Sequence, residues 1–103
     1  MLNIESKFQL GEIVATTGVA DLMKKNPEFN SFCIESLMRH AQCDWGETCK
    51  SDKKLNDEAL INGTRIMSVY CYLNDDTSLM GQKIWIITEA DRSSTTILFP
   101  SDY

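Results

Sequence analysis

The chain has 103 residues, of which 43% are hydrophobic and 24% are charged, and its formal net charge is −5. This length fits a single domain spanning residues 1–103, and the composition is that of a globular protein rather than a disordered chain. The acidic balance argues against direct nucleic-acid binding, which normally needs clustered lysine and arginine, and no apolar run approaches the ~18 residues of a membrane span.

The N-terminal quarter predicts one strand and one short helix. Apolar residues around Gly11 predict a strand over 8–16. The following Thr-Thr-Gly is typical of a helix entry and predicts a helix over 19–25, with a threonine hydroxyl as its cap. Asn26-Pro27 ends this helix, because the residue before a proline is pushed out of the helical region.

Two further helices are predicted before the chain changes character. An apolar stripe at helical spacing predicts a helix over 31–42, capped by Asn30 or Ser31. A third helix is predicted over 52–62, capped by Ser51. Asn62-Gly63 closes it, since glycine accepts the left-handed conformation that ends a helix.

After Gly63 the apolar period changes from 3.6 to 2, which predicts strands. They cover 64–73, 83–90 and 94–99, and 74–82 is predicted to be a hairpin loop. Both faces of 84–87 are apolar, so we expect this strand to lie in the centre of the sheet. The order β-α-α-α-β-β-β predicts an α+β fold: an antiparallel sheet of about four strands with helices packed on one face.

The cysteines invite a metal interpretation that their spacing does not favour. The tightest cluster is His40, Cys43 and Cys49, whereas structural zinc sites usually contain a C-x2-4-C pair and a fourth ligand. The N-terminus also lacks the basic and apolar regions of a signal peptide, which indicates a cytoplasmic protein with reduced thiols. We therefore predict no metal and no cofactor.

Two stretches of the sequence resemble motifs found in a family of short bacterial proteins. The matching residues are Arg39, His40, Asp44, Trp45 and Gly46, followed by 84–93, 95–98, Pro100 and Tyr103. Members of this family look like uncharacterised accessory proteins of plasmids, phages or integrated elements, and some carry a label that ties them to type I restriction systems. Members commonly have glycine before the Asp-Trp-Gly triplet, where this chain has Cys43.

The polar residues of these motifs are the candidate site. We expect a cluster formed by His40, Asp44, Trp45, Glu89, Asp91 and Arg92. His40 titrates near neutrality in an unperturbed state and is suited to proton transfer, which is the functional interpretation of this cluster. We favour the structural interpretation: Trp45 fills the core, Asp44 bonds its own turn, and the charged residues after 88 form a solvated hairpin turn. Because the sequence has no established catalytic motif, we assign no catalytic residue.

Three functions remain open. The first is a small acidic cytoplasmic interaction protein of the mobile-element type, which binds and modulates a larger host or defence protein such as a restriction or CRISPR-type complex. The second is a small enzyme or ligand-binding domain that uses the polar pocket. The third is a homodimer joined through a sheet edge. Thr95 and Thr96 are the candidates for an exposed edge, although we favour the interpretation that they fill solvent-facing positions of a strand.

Overall fold

The computed structural model describes residues 6–72 and 81–103, which form four strands and three α-helices. Their bounds in chain order are β1 Glu12–Ala15, α1 Thr17–Lys25, α2 Pro27–Ala41, α3 Lys50–Asn62, β2 Ile66–Cys71, β3 Lys83–Thr88 and β4 Ser94–Leu98, followed by a 3-10 turn at Pro100–Asp102. The predicted α+β class and element order are confirmed. Most of the predicted hairpin loop at 74–82 lies outside the described residues. None of the three helices is long and apolar enough to span a membrane.

Helix α2 begins four residues before the predicted start. The side chain of Asn26 accepts a hydrogen bond from the Phe29 N–H, at 3.0 Å, and Pro27 occupies the first helical turn. Proline suits this position because the missing N–H would have no partner inside the helix. Asn26-Pro27 therefore ends one helix and starts the next. The closure of α3 by Gly63 is confirmed, with a φ angle of 70°.

The sheet has the strand order β1-β4-β3-β2 and is mixed. Strands β2, β3 and β4 are antiparallel neighbours as predicted, but β1 runs parallel to β4, which corrects the expectation of a purely antiparallel sheet. A connection that contains three helices leaves β1 free to run in either direction, whereas short hairpin connections impose antiparallel pairing. Since β4 lies inside the sheet, the candidate edge at Thr95 and Thr96 is also wrong, and Thr95 is buried rather than solvent-facing.

The main core lies between the sheet and helices α1 and α2. Its buried members are Val19, Phe29, Cys33, Leu37, Tyr70, Tyr72, Ile84, Ile86 and Ile97. As predicted, β3 is central and apolar on both sides: Ile86 is fully buried on the helix-packed face, and Ile87 is 4% exposed on the opposite face. On that opposite face the ring of Tyr103 contacts Trp85.

Candidate functional site

The loop after α2 is fixed by its own polar side chains. Asp44 accepts two hydrogen bonds from the Arg39 guanidinium, at 2.8 and 3.2 Å, and a third from the Gly46 N–H at 3.1 Å. Arg39 is the main reason why the pKa of Asp44 lies below its usual value. Cys43 has a φ angle of +64°, a left-handed conformation that glycine adopts without cost. This conformation explains physically why glycine suits the position before Asp-Trp-Gly.

His40 lies in the core rather than in a cleft. Its side chain is fully buried, with Phe8 and Trp45 packed edge-on against the imidazole at ring distances of 5.4 and 5.7 Å. One ring nitrogen, Nδ1, forms a hydrogen bond with the Ser68 hydroxyl. The other, Nε2, lies 2.9 Å from the Thr88 hydroxyl. Both polar atoms of the ring are therefore used inside the protein.

The hydroxyl partners fix the tautomer of His40. Thr95 donates its hydroxyl hydrogen to the Leu10 carbonyl oxygen at 2.7 Å, because a carbonyl can only accept. The Thr88 hydroxyl, 2.8 Å from that of Thr95, must then donate to Thr95. It accepts from His40 Nε2–H, so Nδ1 carries no proton and accepts from Ser68. A single directed chain of hydrogen bonds thus joins α2 to all of β2, β3 and β4.

Burial has a large effect on the acid–base behaviour of this histidine. Removal from water lowers the pKa of His40 to about 3, because the charged imidazolium loses its hydration. At neutral pH the ring is uncharged and enclosed. A residue in this state stabilises the fold but is not suited to exchange protons with a substrate in solvent.

Trp45 is a core residue that also forms a hydrogen bond at the surface of α3. It is 4% exposed and packs with Ala59 and Ile66 in a small second core. Its indole N–H donates to the Asp57 carboxylate at 3.0 Å. Trp45 therefore fills the core, as the structural interpretation predicts. Asp44 forms the hydrogen bond within its own turn that the same interpretation predicts.

The charged turn between β3 and β4 is organised by Arg92. Its guanidinium donates to the carbonyl oxygens of Ala59 at 3.0 Å, Thr64 at 2.7 Å and Glu89 at 3.1 Å. Arg92 therefore connects the C-terminal end of α3 to the turn and has a φ angle of +60°. Asp91 is exposed and accepts a hydrogen bond from the Ser93 N–H at 3.0 Å. The Ser93 side-chain hydroxyl, and after it the Ser93 N–H, lower the pKa of Asp91 below its ordinary value by hydrogen bonding to the carboxylate.

The six predicted site residues thus occupy different environments. His40 and Trp45 are in ring contact within the core, while Asp44 is exposed beside Arg39. Asp91 is also exposed, Arg92 is half-buried against backbone carbonyls, and Glu89 is half-buried just after the end of β3, where its N–H donates to the Ser94 carbonyl. A fully buried imidazole and an exposed carboxylate do not line one solvent-filled pocket, so the geometry gives the predicted polar cluster little support.

Sequence reasoning missed the partners of His40. Ser68, Thr88 and Thr95 are fully buried and share the helix-packed face of the sheet with Tyr70, Ile86 and Ile97. The sequence contains one indication of these partners. Each strand has a serine or threonine at an inward-facing position, where the alternation of apolar and polar residues predicts an apolar side chain. Three such positions in neighbouring strands indicate a buried polar partner on the facing helix.

The thiols do not assemble into a metal site in the described parts of the chain. All four cysteines are free, and no group of three or more histidine, cysteine and acidic residues is placed to hold an ion among residues 6–72 and 81–103. His40 has both ring nitrogens bonded to hydroxyls, and Cys33 is buried in the core. Burial raises the pKa of the Cys33 thiol to about 12, which keeps this group protonated.

The β2 side of the sheet is closed by side-chain and backbone groups of residues 47–56. The Asn56 amide bonds both backbone groups of Met67, at 2.7 and 3.2 Å, as a neighbouring strand would. The Val69 N–H donates to the Thr48 hydroxyl, and the Val69 carbonyl accepts from the Glu47 N–H. The Glu47 carboxylate accepts from the Cys71 N–H. These bonds occupy the groups with which an exposed edge recruits another strand.

No described residue covers the β1 side of the sheet. Glu12 donates its backbone N–H to the Ser93 carbonyl just before β4, and Thr16 donates to Ile97 in β4, so the alternate residues Ile13 and Ala15 direct their backbone groups away from the sheet. Neither backbone has a hydrogen-bond partner in the described part of the chain. Ile13 and Val14 are 42% and 38% exposed. We refer to this outward-facing side of Glu12–Ala15 as the β1 edge.

A groove lies beside the β1 edge on the helix-packed face. Its lining is mainly apolar and consists of Ala15, Ala20, Met23, Lys24 and Asn30. An open row of backbone groups next to an apolar groove is the arrangement that binds an extended peptide segment, since the backbone provides hydrogen bonds and the groove selects a side chain. The β1 edge is therefore the candidate interface.

Comparison of the chain with protein-family models, with curated proteins and with solved structures gives no match. The family resemblance of 39–46 and 84–103 therefore stays a prediction. The function must be argued from the geometry of this chain.

Proposed function

We propose that this chain is a small acidic interaction protein, which acts in the cytoplasm by binding and modulating a larger protein through the β1 edge. The partner contributes an extended strand that pairs with Ile13 and Ala15 and places an apolar side chain in the neighbouring groove. The family resemblance makes restriction and CRISPR-type complexes of the host the first partners to test.

The observation that supports this proposal is the contrast between the two edges of one sheet. At β2, five hydrogen bonds from 47–56 use the outward-facing backbone groups of Met67, Val69 and Cys71. At β1 no residue of 6–72 or 81–103 bonds the corresponding groups, and Ile13 and Val14 are exposed there. Proteins normally shield an edge with charge, proline or a covering segment, so an open apolar edge indicates a binding surface.

The alternative, a small enzyme or ligand-binding domain, depends on His40 and the charged turn. His40 is enclosed, its ring nitrogens are bonded to Ser68 and Thr88, and its pKa is about 3. Arg92 is committed to backbone carbonyls. These side chains form hydrogen bonds that stabilise the folded protein, which favours the interaction function over catalysis or ligand binding.

A matched pair of variants tests the β1 edge. Ile13→Lys places a charge at the edge, and Ile61→Lys makes the same change on α3, where Ile61 is 87% exposed. As single chains both should fold with the stability of the parent chain, within about 0.5 kcal/mol, because both side chains are exposed there. We expect a protein captured from host lysate by the parent and by Ile61→Lys to be lost with Ile13→Lys, as judged by quantitative mass spectrometry.

The captured protein is then purified and its binding site is mapped. Amide hydrogen exchange of the complex should slow at Ile13 and Ala15, whose N–H groups would gain partners. If no host protein distinguishes Ile13→Lys from Ile61→Lys, or if the purified partner protects a different surface, the proposed function is wrong.

A further inference from the structure

We infer that the free protein is a homodimer in which the β1 edges of two copies pair antiparallel about a two-fold axis, and that this pairing covers the docking edge until a partner displaces it. The inference rests on the proposed function for the role of the edge, but the dimer itself follows from the geometry of Glu12–Ala15. Two copies joined in this way form one continuous sheet of eight strands.

The hydrogen-bonding positions of β1 select a single favourable register. Within β1 only Ile13 and Ala15 direct their backbone groups outward, and the register that uses both residues of both copies places Ile13 opposite Ala15. Pairing Ile13 of each copy with Ala15 of the other uses the N–H and C=O of all four residues and gives four hydrogen bonds. Val14 then lies on the two-fold axis, opposite Val14 of the other copy.

The side chains also fit this register. Ile13 shares the helix-packed face with Ala15, because both alternate with Glu12 and Val14 along the strand. In the dimer Ile13 lies over Ala15 of the other copy, beside the groove lined by Ala15, Ala20 and Met23. The exposed isoleucine of each copy is therefore covered by an apolar groove of the other. An edge that complements itself in this way is typical of two-fold dimers.

Charge does not oppose this arrangement at the strand. Glu12 is the one charged residue of β1, and in this register it faces the neutral Thr16 of the other copy. A one-residue shift of register would turn the outward-facing groups away from each other and lose the hydrogen bonds. The net charge of −5 on each copy is a long-range repulsion that salt screens. We therefore expect the dimer to strengthen with ionic strength.

Disulfide crosslinking tests the register. In a non-hydrogen-bonded antiparallel pair the two Cα atoms lie about 4.5 Å apart, within the range that a disulfide spans. In a Cys49→Ser background, which removes the exposed native thiol, Val14→Cys should form a disulfide-linked dimer on mild oxidation. Ile13→Cys is the control: it faces Ala15, which places the two copies of residue 13 roughly 8 Å apart, too far for a disulfide.

Sedimentation of the unmodified protein tests the dimer itself. The parent and Ile61→Lys should form dimers, and Ile13→Lys should raise the dimer dissociation constant at least about tenfold, because a charge replaces a buried apolar contact. If the parent stays monomeric at the concentration of an NMR sample, the inference is wrong. A parent dimer that Ile13→Lys does not weaken, or that Val14→Cys does not crosslink, also overturns it.

Failure of the dimer and failure of the proposed function are separable. A monomeric parent that still loses its host partner on Ile13→Lys overturns the dimer alone, whereas a β1-linked dimer without any edge-dependent partner overturns the proposed function alone. If both hold, the oxidised Val14→Cys dimer should not bind the partner, and reduction should restore binding. Binding by the oxidised dimer would show that pairing does not cover the docking edge.

Discussion

At the scale of single residues, His40 shows how burial changes the role of a side chain. It is the only histidine of the chain, and the sequence marks it as a candidate for proton transfer. The structure encloses it and supplies a hydroxyl for each ring nitrogen. Its position after Arg39 gave no indication of this, because its partners come from strands 28 and 48 residues further along the chain.

The acid–base state of His40 leads to the first prediction. Its folded pKa of about 3 lies below the value of 6.5 expected in the unfolded chain. Between pH 6.5 and 3 the unfolded chain therefore binds a proton that the folded protein does not, and the free energy of unfolding should fall by up to about 1.4 kcal/mol per pH unit. Above pH 6.5 neither state binds this proton, and the free energy of unfolding keeps the full value that is lost at lower pH.

NMR of the single imidazole provides the measurement. The ring signals of the folded protein should not titrate between pH 8 and pH 5, and the nitrogen shifts should identify the Nε2–H tautomer, because Nδ1 accepts from Ser68. Urea denaturation at several pH values gives the stability slope. A folded protein whose imidazole titrates near 6.5 would contradict the buried, neutral state.

Local sequence signals are right for some features and wrong for the N-terminal helix caps, since Thr16 makes no side-chain cap bond and α3 begins after Cys49 rather than after Ser51. The Gly63 cap and the central position of 84–87 follow from glycine geometry and from strand composition. The network of Ser68, Thr88 and Thr95 could not be predicted to the same degree. Its formation depends on the pairing register of three strands, which a single sequence does not specify.

At the scale of secondary-structure elements, Asn56 stands in for the strand that β2 lacks. It is almost fully buried on α3, and its amide bonds the N–H and C=O of Met67. Asn56→Ala leaves both groups without a partner, which should cost about 2 kcal/mol in urea denaturation. Lys54→Ala, on the exposed side of the same helix, should change stability by less than about 0.5 kcal/mol.

Asn56→Asp distinguishes the contributions of the two hydrogen bonds between Asn56 and Met67. The new side chain keeps an oxygen for the Met67 N–H, but the ionised carboxylate has no donor for the Met67 carbonyl oxygen, whereas the protonated carboxyl has one, so the variant should lose less stability at acidic pH than at neutral pH. Hydrogen exchange at Met67 reports the same contact. If Asn56→Ala is as stable as Lys54→Ala, the two hydrogen bonds between Asn56 and Met67 do not stabilise the β2 edge.

The boundaries of α2 show where local sequence signals compete. Both Asn26 and Asn30 are suitable caps, and the structure uses Asn26 because Pro27 occupies the first turn. The parallel direction of β1 relative to β4 could not be predicted from the sequence, for a different reason. Three helices separate it from the next strand, so no turn geometry relates the two.

At the scale of the whole molecule, Arg92 connects the helical and sheet layers. It bonds the carbonyl oxygens of Ala59 on α3 and of Thr64 before β2, as well as that of Glu89 in its own turn. Lysine cannot reproduce this forked geometry. Arg92→Lys should therefore lower the free energy of unfolding by about 1.5–3 kcal/mol, as expected for bonds to a charged donor.

The same substitution at Arg39 is the control. Arg39 pairs with Asp44 at the surface, where both side chains are more than a third exposed, and such pairs contribute about 0–1 kcal/mol. Arg39→Lys should thus cost clearly less than Arg92→Lys in denaturant unfolding. Equal losses would show that Arg92 acts as an ordinary surface charge.

The parallel pairing of β1 with β4 sets the order in which the protein can be completed during synthesis. Leu10 receives its hydrogen bond from Thr95, and Thr16 donates to Asp102, 86 residues later. The first strand therefore leaves the ribosome long before the strand that holds it, and has to wait for almost the entire chain at ~5–20 residues per second. Until then its apolar side chains are available to chaperones or to neighbouring nascent chains.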